Sequence, residues 1–182
     1  MQATKWTLDP THSELGFKIK HLMITNVTGY FKKFEVSAET PSGDFADAKI
    51  KARIDVESID TNNAQRDEHL RAADFFQADQ YPYIQFESTN IEKVDDETYN
   101  ITGNLTIRNT TKPVKVIAEY HGTTIDPWGN TKAGFELNGK ITRKDFGINY
   151  NATLETGGVL LGEDLKLTGE IQLVKETALQ PA

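Results

Sequence analysis

The side chains able to do chemistry are few and scattered in this chain of 182 residues. It contains no cysteine, which excludes thiol nucleophiles, disulfides and thiolate metal sites. The four histidines, His12, His21, His69 and His121, form no HxH or HExxH arrangement, so no metal site is expected. No GxSxG elbow and no GxGxxG or GxxxxGKS/T loop occurs, and GGVLLG lacks the lysine and strand-to-helix context of a phosphate loop. The nearest approach to an acid–base set is Arg66, Asp67 and His69, since a histidine beside a carboxylate can titrate near neutral pH. A solvated helix surface, or a hydrogen-bonded clamp, accounts for the same three residues and is preferred. His12 reads as ordering the turn Asp9-Pro10-Thr11. No catalytic residue, cofactor or metal is therefore expected.

The informative pattern is hydrophobic alternation. In the stretch from His12 to Phe34, Leu15, Phe17 and Ile19 face one way, Glu14, Lys18 and Lys20 the other, which predicts a half-buried strand. The compact apolar group Leu22, Met23, Ile24 and Val27 that follows predicts a short helix or lid over the same core, broken at Gly29 before Phe31 and Phe34. Alternation then returns at Phe34–Ala38, Ile50–Val56, Ile84–Ser88, Tyr99–Ile107, Val114–Tyr120, Phe135–Ile141 and Leu165–Leu173. Eight two-faced antiparallel strands result.

Both a two-layer sandwich and a closed barrel satisfy this pattern. Long strands with few helices favour an up-and-down barrel, which removes exposed edges. An interior of that size is either filled by side chains or holds one small ligand. Its inward face carries Gly103, Gly139, Gly169, Ala38, Ala52 and Ala118, which either mark bends or leave space for a ligand. One insertion, NNAQRDEHLRAADFFQADQY between the third and fourth strands, predicts a short helix: Asn62 and Gln65 make a capping-box pattern, and the phenylalanines face the barrel. The glycine-rich segment between Lys144 and Glu163 has no steady period and is expected to be a mobile portal flap. Trp6 would plug one barrel end, and Trp128 would sit exposed in a turn. The domain is expected to span 1–176, with a frayed tail at 177–182.

The net charge of −7 argues against nucleic-acid binding, which requires a basic face. MQATKWTLDP has no charged n-region followed by an apolar h-region, and no 18-residue apolar run occurs. As written, the chain reads as cytoplasmic, or as periplasmic or extracellular if a leader was removed.

LDPTHSELGFKIKHLMITNVTGYFKKF, RDEHLRAADFFQADQYPYIQFES, GNLTIRNTTKPV, KDFGI and LLGEDLKL, in that order, resemble the YceI-like family, over almost the whole chain. The resemblance implies a lipocalin-like eight-stranded antiparallel β-barrel whose long apolar pore holds a polyisoprenoid or another long-tailed amphiphile (a prenyl quinone, a fatty amide or acid), and it makes a homodimer plausible. Ala72 and Gln77 depart from the family pattern, where serine and an acidic residue are frequent. The residues expected to line the pore are Phe17, Ile19, Leu22, Met23, Val27, Phe31, Phe34, Ile54, Phe86, Ile101, Val116, Phe135, Leu137, Ile141 and Leu167, with His21, Ser88 or Arg143 at a head group. Two rivals stand beside this reading. One is an enzyme acting on a long-chain lipid or quinone through His69 and Asp67; the other is a barrel filled by its own aromatics that works through its surface.

Overall fold

The structure, a computed structural model, describes residues 3–155 and 157–176. Its strands are β1 (Thr4–Leu8), β2 (Glu14–His21), β3 (Thr25–Phe31), β4 (Phe34–Thr40), β5 (Lys49–Asp55), β6 (Ile59–Asp60), β7 (Tyr83–Lys93), β8 (Thr98–Ile107), β9 (Thr110–Ile125), β10 (Thr131–Thr142) and β11 (Leu161–Lys175), with one helix, α1 (Ala64–Arg71). Antiparallel pairing runs β1-β4-β5-β7-β8-β9-β10-β11 and returns from β11 to β1, closing an eight-stranded barrel. From β11 a branch continues through β2 and β3 to β6. The eleven segments thus make eight staves, because β1/β2, β3/β4 and β5/β6 are each one stave bent in two. Pro10 and the 3-10 turn Pro10–His12, capped by Asp9, bend the first. The other two bend side by side, where Lys32 N–H donates to Ser58 and Asp55 N–H to Lys33.

The expected helical lid after the first strand is absent. His21-Leu22-Met23-Ile24 is a tight hairpin turn: Leu22 and Met23 have φ of 53° and 63°, and Ile24 N–H donates to the His21 carbonyl at 3.1 Å. The residues after it, Thr25, Val27 and Thr28, are β-branched and pair directly with β2, which leaves no length for a helix. Gly29 does not break the chain either. It lies inside β3, where a Cβ would fall 2.4 Å from the Phe17 ring.

The bent staves make the two barrel ends different. At the end holding β1, β4 and the β7–β8 and β9–β10 turns, every stave is present and the ladder is closed. At the other end β7 begins only at Tyr83, level with Asp55, so β6 pairs with β3 alone among the described residues. The space beside β6 is covered by residues 61–82 with α1. The cap of α1 is Asn63, whose side chain accepts the Arg66 N–H, while Asn62 takes a left-handed φ of 62°. Phe75 and Phe76, in the turns after α1, are buried against Phe31, Ile59 and Ile107.

The segment after β10 is packed at its start, contrary to the mobile flap expected there. Phe146 and Ile148 are buried, and Arg143 donates through Nε to Gly162 and through Nη1 to Ile148 and Tyr150, at 2.8–3.0 Å. Trp128 is exposed, as expected. The tail at 177–182 lies outside the described residues. No described helix is long and apolar enough to cross a membrane.

Candidate ligand-binding cavity

Period-two alternation turns one face of every stave into the barrel, and between those faces lies a cavity of about 390 Å³, within the range of small-molecule sites. It is elongated: its lining runs along β11 from Leu161 to Leu173. The fully laddered end is stoppered by aromatics, with Phe45 between Trp6 (5.2 Å between ring centroids), Phe135 (4.9 Å) and Tyr120 (5.9 Å). At the opposite end the two irregular segments meet, His69 and Phe75 packing on Tyr150 at 4.9 and 5.1 Å.

Fifteen of the residues singled out in the sequence face this cavity: Phe17, Ile19, His21, Val27, Phe31, Phe34, Ile54, Phe86, Ile101, Val116, Phe135, Leu137, Ile141, Arg143 and Leu167. Leu22, Met23 and Ser88 do not. Leu22 and Met23 occupy the hairpin tip, 39% and 56% exposed, because the left-handed turn carries them past the barrel rim. Ser88 is spent on the sheet: its hydroxyl oxygen accepts the Ile50 N–H at 2.9 Å beside the bulge between Ser88 and Asn90. The inward glycines divide. At Gly103 a Cβ would meet the Phe86 ring at 2.4 Å, so that space belongs to Phe86; at Gly139 the contacts would be an ordinary 3.5–3.6 Å, and the wall there is simply thin.

The lining also includes residues that alternation does not reveal. Phe45 sits on a 3-10 turn, Phe75 and Phe76 follow α1, and Tyr150 and Leu160 belong to the irregular segment before β11. For Phe45 and the Phe75-Phe76 pair the signal was composition: an aromatic in a loop flanked by Asp, or a pair of aromatics in a polar insertion.

The suspected acid–base group does not form. Asp67 is buried and accepts the backbone N–H and hydroxyl of Thr61 at 2.8 and 2.5 Å, while Arg66 donates to the Thr61 hydroxyl and carbonyl. These three residues clamp the end of β6 to α1. His69 bonds Asp74 at 3.0 Å on the exposed side. His12 bonds Asp9, as its turn position suggested. Burial alone would raise the Asp9 carboxyl, but hydrogen bonds from Lys132, His12 and Thr11 overcome this and hold it well below the ordinary carboxylate range. On the outer wall, Glu119, His121 and Glu136 bring their ligand atoms within 4.8 Å of one another, all three at least partly open to solvent.

The model of the YceI-like domain matches residues 6–173. The chain belongs to the YceI-like family. This YceI-like chain is 40% identical over 164 residues to a UPF0312 protein of Staphylococcus aureus, covering 90% of this chain and 93% of that one. It superposes on the crystal structure of a Campylobacter jejuni YCEI protein with a TM-score of 0.71 at 36% identity, covering 93% and 97% of the two chains. A Saccharophagus degradans domain described as polyisoprenoid binding shares the fold, with a TM-score of 0.67 at 13% identity, covering 94% and 98%.

Proposed function

We propose that this YceI-like protein binds a polyisoprenoid or a similar long-chain amphiphile in its barrel and sequesters or carries it, without catalysing a reaction. The observation that carries the reading is the shape and chemistry of the cavity: a long apolar channel stoppered by aromatics at the Phe45 end. Each methylene moved from water into such a channel contributes about 0.8 kcal/mol, so a long tail supplies ample affinity even after its ordering cost. The polyisoprenoid binding of the Saccharophagus degradans domain, which shares the fold, supports the same ligand class. Asp67 and His69 are each engaged with another partner rather than with one another, which supports binding over turnover.

Native mass spectrometry of the purified protein, followed by organic extraction of the released compound, tests the proposal. A discrete added mass identified as a polyprenyl or other long-chain compound supports it. If the mass is that of the bare chain, titration with a prenyl quinone decides, and failure of the protein to take up the quinone overturns the reading.

A further inference from the structure

The cavity is not uniform along its length. At the laddered end the polar groups near the aromatic stopper are already matched: the Tyr99 hydroxyl faces the Asp44 carboxylate at 3.4 Å, and Trp6 Nε1 donates to Thr40. At the other end the polar residues facing the cavity are His21, Thr61, Arg66, His69, Arg143 and Tyr150, and among the described residues no Asp, Glu or Lys faces it anywhere. Four carboxylates on that side of the barrel are engaged elsewhere: Asp67 by Thr61, Asp74 by His69, Glu163 by Lys144, Asp164 by Thr142 and Lys140.

Arg143 is the decisive group. It is only 3% exposed, yet no carboxylate pairs with it among the described residues, and its three bonds go to neutral carbonyls of Gly162, Ile148 and Tyr150. Nη2 is buried without any partner among the described residues. Arg66, whose Nε and Nη2 are given to Thr61, likewise has no carboxylate partner among the described residues. A buried guanidinium with a vacant donor and no carboxylate bonded to it is costly, and the cost is relieved by an anion that accepts that donor. We infer that the cavity selects an amphiphile with an anionic head group, a carboxylate or a phosphate, held at Arg143 and Arg66, with its tail directed toward Phe45. Burial pushes the Arg143 guanidinium below its ordinary value against the opposing effect of Glu163, which agrees with a cation short of counter-charge.

This inference rests on the proposed tail-binding function, and one series of ligands separates the two. Calorimetric titration at pH 8 with palmitate, hexadecyl phosphate and hexadecanol holds the tail constant and varies the head. The inference expects at least one anion to bind about 10- to 100-fold tighter than hexadecanol, the size of a charge-assisted hydrogen bond. Whichever anion binds tighter identifies the head group. Equal affinity for all three overturns the anionic selection and leaves tail binding standing; no binding by any overturns both. Arg143→Lys, checked for native circular dichroism, is expected to weaken the preferred anion at least tenfold more than hexadecanol. An equal loss for both would make Arg143 a pin for the loop alone and overturn its role at the head group.

Discussion

Replacing Leu137 by lysine tests the apolar channel directly. Leu137 lies midway along β10, between Ala118 of β9 and Gly169 of β11, and faces the cavity. Its neighbours are small and apolar, and among the described residues no carboxylate lines the cavity to pair with an ammonium. Before a tail enters, the introduced lysine can stay charged beside water; once a tail fills the channel, its amine must be neutral. Deprotonating a lysine of ordinary pKa costs about 4.6 kcal/mol at pH 7, a loss of roughly 2,500-fold in affinity. At pH 9 the cost falls to about 1.9 kcal/mol, roughly 25-fold. The bound state favours the deprotonated amine, so binding releases a proton and affinity rises with pH. Calorimetric titration of Leu137→Lys with a prenyl quinone, in two buffers of different ionisation enthalpy, is expected to show about one proton released at pH 7 and about a hundredfold recovery by pH 9 relative to wild type. Wild-type affinity at pH 7, or a loss equal at both pH values in protein with native circular dichroism, would refute the channel.

Three stability predictions follow from the wall itself. Asp9→Asn removes the negative charge and one of the two carboxylate oxygens that serve Lys132, His12, Gln172 and Thr11, and is expected to cost about 3 kcal/mol at pH 7 by urea denaturation. Because the native Asp9 carboxyl is held below its unfolded value, its contribution is complete above about pH 4 and is lost as pH falls through the native value, so wild type and variant converge in acid. Gly103→Ala drives a methyl to 2.4 Å from Phe86 and 2.6 Å from the Glu87 carbonyl and is expected to cost about 1–3 kcal/mol, whereas Gly139→Ala, with ordinary contacts, changes stability by less than about 1 kcal/mol. Replacing Leu22 by Asn together with Met23 by Gly gives the left-handed turn residues that tolerate it, and is expected to raise the urea midpoint by the equivalent of about 1 kcal/mol.

The barrel was readable because each stave alternates strictly, and a period of two assigns Phe17, Ile101 or Leu137 to the inside without further knowledge. What alternation cannot supply is where a stave bends or how a turn closes. Leu22-Met23 lacks the Asn-Gly signature of a turn with two left-handed residues, so an apolar run there reads as helix, although both residues adopt φ near 60°. Ser88 alternates correctly, yet the adjacent bulge gives its hydroxyl to the ladder. Phe45, Phe75 and Tyr150 reach the cavity from outside the strands, positioned by contacts distant in sequence. The Arg143 position was legible as an inward polar residue at the end of β10; its vacant donor appears only once the three carbonyls around it are placed.

The unladdered flank beside β6 has a kinetic consequence. At the other end a ligand would have to displace the stopper of Phe45, Trp6 and Tyr120, held inside a ladder that joins all eight staves. Beside β6, the wall is held by the Thr61 clamp to Asp67 and Arg66, by Arg71 donating to the Glu57 and Ile59 carbonyls, by Arg108 donating to the Phe75 carbonyl at 3.4 Å, and by the buried rings of Phe75 and Phe76. Separating those side-chain contacts leaves the rungs of the eight-stave ladder intact. On the proposed binding function, the residence time of a tail would be set by these side chains and its equilibrium affinity by the channel, so substitutions beside β6 would change one without the other.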